Sequence, residues 1–487
     1  MTYEQTPTLN LNLYPQGKFA ERCVGFVDDL ARWEEANQAR TRALKKQDRL
    51  AREATCKVLL ANLHQTWKRD QAATIGVLRV KNHYANRRAE IGPYVTYKSV
   101  MILLDFFLSR SLIEIVSEGR KHPDAKQGIP TQIRARQGLI EYLDQDDASP
   151  FDFRSVYPQL VLKAGKEDSK RHLTIPDTDE AQQLALGVDQ INKMLGFHWA
   201  DIELPDAELK QIDVSGLNLP EALYQERTVR RIFNNGSFEE GGRFYGGWWE
   251  RIPSRYRPHI TIDGMPTIEM DYSAIQPRLL LAERGVELDG DPYDIGIDDR
   301  FRPLFKETFN RLLNGKRKPF PYSNPGQGIV FNEADVGLSW TQFLNLIRDR
   351  FEAVSDQFSS GAGLKLQRLD SDIAQAVMLE AIILNVPMLP IHDSFIVRLS
   401  DYPDLVRAME SAMLKTVGIK IPIKITEPQP SDLSLHLSKH WQQFDLYDPS
   451  QDNPPEPELT NQFAPGYESY QRRVGEMIKE QHRRVFG

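Results

Sequence analysis

The chain has 487 residues, with 61 Lys and Arg against 68 Asp and Glu, a formal charge of −7. That length predicts about three domains, and 40% hydrophobic residues with seven Trp can build a real core, which excludes a wholly disordered chain. Two cysteines, Cys23 and Cys56, are too few for a disulfide framework or a four-ligand zinc site; they read as buried apolar residues, so redox chemistry is not expected.

Met1 to Pro7 hold no basic segment followed by an apolar one, and no run approaches the ~18 apolar residues of a membrane span. The expectation is a cytoplasmic protein with no membrane partner. From Asn37 to Arg88 there are 13 Lys and Arg, including Arg40, Arg42, Lys45, Lys46, Arg49 and Arg52, against Asp48, Glu53 and Asp70, a local charge of about +10. Such a window is either the solvated face of a long helix, given its Ala, Leu, Gln, Lys and Arg content, or a surface for phosphates.

Thr96 can cap a helix from Tyr97 to Leu108, whose apolar residues recur at helical spacing. Leu112 to Val116 reads as a strand, Glu118 to Pro130 as a polar loop, and Thr131 to Ala135 as a second strand. This order resembles winged helix-turn-helix modules, with the helix from Tyr97 as recognition helix and Arg120 to Lys126 as wing. The resemblance implies DNA contacts from Lys98, Arg120 and Lys121; the plainer reading is an ordinary α+β subdomain. Residues 146–225 offer acidic loops and an amphipathic stretch, Ala181 to Leu195, and are expected to form a helical connector. Asp448 to Gly466, rich in Pro and acidic residues, reads as a tether before an amphipathic helix from Glu468 to Arg484.

Chemistry concentrates in the second half. Pro266 to Leu280 opens as a strand and passes into a helix, with Asp271 at the strand's end; Val386 to Val397 reads as an apolar hairpin with His392 and Asp393 at its turn. Two carboxylates at ~4 Å would repel by about 4 kcal/mol at an effective dielectric of 20, so facing acids need protons or cations between them.

The run Asp271-Tyr272-Ser273-Ala274-Ile275-Gln276-Pro277-Arg278 is similar to motif A of family-A DNA polymerases. Ile391-His392-Asp393-Ser394-Phe395 resembles motif C of single-subunit, phage- and mitochondrial-type RNA polymerases, which share that palm. Between them, Arg302 and Lys306, with Gly315 nine residues after the Lys, resemble motif B. Gln367 to Met378, with Arg368 and Asp372, is similar to the Q-G-x-A-A-D-I helix of DNA polymerase I, and Glu239 to Tyr245, with Arg243, to a template-contacting D-x-x-G-R motif. Gly290 to Tyr293 stands in the place of a D-I-H or D-I-Y element.

The resemblance covers about Arg227 to Leu446 and implies an α+β, right-hand palm and small fingers at 226–446, after a mostly helical DNA-binding region at 1–145 and the connector at 146–225, and before the tether and helix at 447–487. It implies a DNA polymerase that joins dNTPs to a 3′-hydroxyl on a DNA primer–template, with Asp271 and Asp393 binding two Mg2+ ions, or Mn2+ in their place, and Lys306 as a further catalytic residue. Arg302, Lys306, Gln276, Asn310, Asn314 and Tyr272 are the implied nucleotide contacts; Arg243, Gln367, Arg368 and His392 are the implied nucleic-acid contacts.

The chain also departs from the pattern. Asn310 and Asn314 replace the aromatic residues of motif B, and Ser394 replaces a Glu of motif C, leaving two carboxylates rather than three. Gln276, five residues past the motif A Asp, is bulky where RNA polymerases have a small residue, which favours deoxynucleotides. An RNA polymerase or primase using NTPs is the alternative within enzymes; a non-catalytic winged-helix replication or regulatory factor is the alternative outside them.

Overall fold

The computed structural model describes residues 7–37, 44–86, 94–120, 129–145, 148–165, 171–212, 219–288, 290–315, 317, 319, 321, 323–324, 329–426 and 466–486. The chain divides into two units, one drawn from residues 1–177, 212–230 and 476–487, the other from 178–211 and 231–475.

The first unit contains helices α1 (Gly17–Ala36) and α2 (Lys46–Arg69), strand β1 (Ile75–Val77), helices α3 (Lys81–Asn86) and α4 (Tyr97–Ser109), and strands β2 (Ile113–Ser117) and β3 (Thr131–Ala135). The three strands form an antiparallel sheet in the order β1-β3-β2. Helix α4 starts where expected, because the Thr96 side-chain oxygen accepts the Ser99 N–H at 3.2 Å and satisfies a donor that the first turn leaves open. Its Val100, Leu103, Leu104, Phe106 and Phe107 are buried, while Lys98 and Asp105 face outwards. Strand β2 begins one residue later than the apolar run suggests, since the Leu112 N–H is taken by the Phe107 carbonyl at the helix end.

Part of the basic window is spent on partners inside this unit. Arg52, a phosphate candidate by sequence, is buried and forks onto Glu34, with one bond of 2.7 Å. Arg49 pairs with Asp28 at 2.8 Å and Glu53 at 2.9 Å, Lys68 with Asp144 at 2.6 Å, and Arg69 with Glu221 at 2.9 Å. Arg40 and Arg42 lie outside the described residues. Cys23 and Cys56 sit in the core, the Cys56 thiol donating to the Cys23 carbonyl at 3.2 Å, and burial pushes both thiols up, as inert packed cysteines require.

The stretch expected as a helical connector is not purely helical. It carries helix α5 (Asp179–Phe197) but also strands Phe153–Ser155, Leu160–Lys163, His172–Leu173 and β4 (Ala200–Ile202). These runs are two to four residues long, too short for their periodicity to separate strand from loop.

The second unit continues with β5 (Gly241–Tyr245), β6 (Ile260–Ile262), β7 (Met265–Tyr272), α6 (Ile275–Ala282), α7 (Arg302–Asn314), α8 (Gly363–Ile383), β8 (Met388–Ile391), β9 (Ser394–Arg398), α9 (Tyr402–Val417) and β10 (Ile423–Thr426), and takes in the first turns of α10 (Glu468–Phe486). Its antiparallel sheet runs β8-β9-β7-β6-β4, and β10 pairs with the end of β7. Strand β7 alternates: Ile268, Met270 and Tyr272 are buried, Glu269 and Asp271 half-buried on the other face. A one-residue slip would bury both acids, so the apolar set pins the register. Helix α10 covers the sheet at β4, where Arg473 donates to Asp201 at 2.9 Å and to the Ile202 carbonyl at 3.1 Å, both side chains being buried. Among the described residues no helix is long and apolar enough to cross a membrane.

Candidate active site

Asp271 and Asp393, 122 residues apart in sequence, are brought together by strand register. Asp271 is paired with Ser394 across β7 and β9, and Asp393 is the next residue, in the two-residue turn that joins β8 to β9. On its other side Asp271 is paired with Lys424 of β10. Burial, and then the like charge of Asp393, raise the Asp271 carboxyl above its ordinary range; Lys424 and Lys306 oppose that rise and Glu269 adds to it. Among the described residues nothing hydrogen-bonds the buried Oδ1 of Asp271.

The backbone is strained on both sides of this pair. Ala274, between β7 and α6, has φ of 51°, and His392, beside Asp393, has φ of 58°. Left-handed non-glycine residues cost about 1–3 kcal/mol and gather at functional sites. The His392 ring is half-buried against Tyr245, with centroids 5.3 Å apart; burial, then Arg243, push its pKa down, so it is neutral near pH 7.

An orphaned carboxylate oxygen beside a second carboxylate suits a divalent cation. No group of three His, Cys, Asp or Glu side chains gathers as a metal cage among the described residues. Two carboxylates are nonetheless a donor set that Mg2+ accepts, because that ion commonly completes its shell with water and substrate phosphate.

Helix α7 runs over the expected residues and ends at Gly315. Lys306 is exposed and its charge reaches Asp271. Arg302 is already engaged: it pairs with Asp291, one bond being 3.2 Å, and lies 5.2 Å over the Tyr293 ring. The Asn314 amide donates to the Asn310 carbonyl at 2.9 Å and packs where a β-carbon on Gly363 would stand. A cleft of about 840 Å³ is lined by Ser273, Arg278, Asp291, Arg302 and Lys420, among others.

Tyr272 is a correction. Adjacent to Asp271 on a strand, it points to the opposite face, where its buried hydroxyl donates to the Met409 carbonyl at 2.6 Å, so it does not reach a nucleotide at the Asp271 face. Arg368 donates to the Phe238 carbonyl at 2.6 Å and forms an ion pair with Asp372 one turn on. Gln367 is half-buried on α8. In the first unit Lys98 is exposed and lines, with Lys81, a small pocket of about 160 Å³ at the start of α4. Arg120 is exposed and bridged to Ile129; Lys121 lies outside the described residues.

Arg243 is delivered by two consecutive left-handed glycines, Gly241 at 83° and Gly242 at 84°. The left-handed backbone at Gly241 is what calls for glycine there, since a β-carbon would meet chiefly the Asn234 side-chain amide, which can move. The guanidinium forks onto Asp370 of α8, with Nε 3.2 Å from each oxygen. Burial, partly offset by Arg243, pushes Asp370 up to about 6.

Sequence reasoning missed Asp370, Glu269 and Lys424. Asp370 had a signal, since it interrupts the apolar stripe Leu366, Ile373, Val377 of α8 at helical spacing. Glu269 had one too, two residues before Asp271 and so on its face. Lys424 had none, because only the pairing of β10 with β7 puts it there.

No family model matches the chain, and no curated protein matches its sequence. Among solved structures, the chain is similar to the POL domain of Pol1 from M. smegmatis in complex with DNA primer-template and dNTP, at 14% identity and a TM-score of 0.31, covering 85% of this chain and 81% of that one. A superposition that loose assigns no fold, and the structure by itself is a mixed helix and sheet protein with paired acids at the end of an antiparallel sheet.

Proposed function

We propose that the chain is a template-directed nucleotidyltransferase, a DNA polymerase acting on a primer–template with dNTPs, whose palm is the sheet around β7. The observation that carries this reading is the meeting of Asp271 and Asp393 at the strand ends of that sheet, with an orphaned carboxylate oxygen between strained backbone on either side. Asp271 and Asp393 would hold Mg2+, which supplies positive charge for activating a 3′-hydroxyl and stabilising a leaving pyrophosphate. Lys306 brings a mobile cation towards the same acids and suits a triphosphate. Arg243, whose charge Asp393 also feels, is paired with Asp370 of α8.

The helix–strand–helix–helix–strand–strand order of α2 to β3, with β3 central in its sheet, supports a winged-helix-like DNA-binding module in the first unit. Among the described residues, Lys98 and Arg120 are exposed basic residues on the proposed recognition helix and wing. The test is primer extension by the full chain with Mg2+, comparing dNTPs with NTPs and primed with unprimed template. Incorporation of dNTPs that falls by at least ~10²–10³ in Asp271→Asn and Asp393→Asn is the expected result. Near-normal incorporation by either variant overturns the mechanism, and preferential use of NTPs makes the protein an RNA polymerase or primase.

A further inference from the structure

Asp271 is flanked by a strand on either side, and the two flanks carry opposite charge. Towards β9 it is paired with Ser394, the neighbour of Asp393; towards β10 it is paired with Lys424. Strand β10 alternates, with Ile423 and Ile425 half-buried and Lys424 and Thr426 exposed, so its apolar residues hold the register that sets Lys424 on the Asp271 face. Cross-strand partners have β-carbons about 4.5–5.5 Å apart and point to the same side of a sheet, which puts the ammonium within reach of whatever Asp271 binds. Lys424 forms no ion pair among the described residues, whereas Glu269, the next acid of that face, already has Arg257 and Ser394. The cleft of about 840 Å³ begins two residues further along both chains, at Ser273 and Pro422, which are joined N–H to carbonyl at 2.8 Å. The ammonium therefore has open room on that side.

An exposed lysine across from an acid by itself steadies a sheet only slightly. The balance of charge at this corner gives it a larger part. Lys306 of α7 is exposed too, and its charge reaches Asp271 as that of Lys424 does. Two carboxylates and two ammoniums leave the corner near neutral, and Ser394 adds no acid where motif C carries a Glu. A bare divalent ion gains little there, because each ammonium repels it while each carboxylate attracts it. A divalent ion that arrives on a triphosphate is different: the metal meets the carboxylates, and the phosphates meet the ammoniums. We propose that Lys424 is a nucleotide-recognition residue whose charge makes the Asp271–Asp393 pair accept a divalent metal as its triphosphate complex and disfavour the free ion. The proposal rests on the polymerase reading of this site.

The experiment uses the full chain as wild type, Lys424→Met and Lys424→Arg. Mn2+ alone is titrated onto the protein and followed by the paramagnetic signal of the free ion. A dNTP with Mg2+ is then titrated calorimetrically onto the protein carrying a primer–template with a dideoxy 3′ end, so that no bond forms. Removing a unit charge roughly 7 Å from a divalent ion in water changes its affinity by about three- to tenfold. Lys424→Met is expected to tighten binding of Mn2+ alone and to weaken binding of the metal–dNTP complex, each by that factor. Lys424→Arg keeps the charge and should match wild type in both. Opposite movement is the signature of charge, since damage to the fold would weaken both. Either affinity unchanged in Lys424→Met, or both moving the same way, overturns the proposal, as does Lys424→Arg behaving like Lys424→Met. A wild type that binds no metal–dNTP on the primer–template overturns the polymerase reading and the proposal with it. A wild type whose metal–dNTP binding is abolished by Asp271→Asn, with Lys424→Met like wild type, overturns the proposal alone.

Discussion

Ser394 stands opposite Asp271 in the strand register, yet its hydroxyl is given to Glu269, two residues back along β7, at 2.8 Å. Arg257 donates to the same Glu269 oxygen at 3.1 Å. Glu269 is thus held by a cation and a hydroxyl and is not a third open carboxylate. Ser394→Ala removes one neutral-to-charged bond, and incorporation is expected to stay within a factor of about 5 of wild type, against the ~10²–10³ loss in Asp393→Asn. Extension rates measured side by side check this; equal losses would make Ser394 part of the reacting centre.

Lys306 and Arg302 share one face of α7, but only Arg302 is held in an ion pair with Asp291. Lys306→Ala is therefore expected to lower kcat/KM for the nucleotide by about 10–100-fold, the range of a lost charge-assisted bond. Arg302→Ala should cost no more than about 1 kcal/mol, since its bonds are to an exposed acid. Nucleotide titrations of the two variants at fixed primer–template separate them.

Arg52 and Lys98 were alike as basic residues of the N-terminal half, and the structure sets them apart. Arg52→Ala leaves Glu34 buried without its partner and should destabilise the fold by about 3–5 kcal/mol, read by denaturant unfolding. Lys98→Ala should leave stability unchanged and lower the slope of log affinity against log salt for duplex DNA by about 1. An unchanged slope removes Lys98 from the DNA-binding surface.

Glu203 follows β4 and is buried, and that burial pushes its carboxyl up to about 7. The folded chain therefore keeps a proton there that the unfolded chain releases near pH 4.5. By linkage, the stability associated with this group is full below about 4.5 and is lost as pH rises to about 7, after which it is level. Glu203→Gln should raise Tm at pH 8 and change it little at pH 4.5, a difference that thermal melts at the two pH values measure directly. Equal Tm changes at both values would mean that folding does not raise the Glu203 carboxyl.

Much of the architecture was legible because it is local. The strand-to-helix run from Pro266 to Leu280 announced β7, the two-residue His392–Asp393 turn announced the β8–β9 hairpin, Thr96 announced α4, and the Arg302-to-Gly315 spacing announced α7. Even the inward direction of Tyr272 follows from its being one residue from Asp271 on a strand, although motif likeness by itself suggested otherwise. What the sequence determined was which residues of each of these elements share a face. Which charges are free was decided only in three dimensions. Arg52 found Glu34, Arg302 found Asp291, and Arg243 found Asp370, 127 residues away in the chain. A side chain's partner depends on strand order and helix packing, which bring distant residues together and leave no local periodicity to read; the same packing put Lys424 beside Asp271.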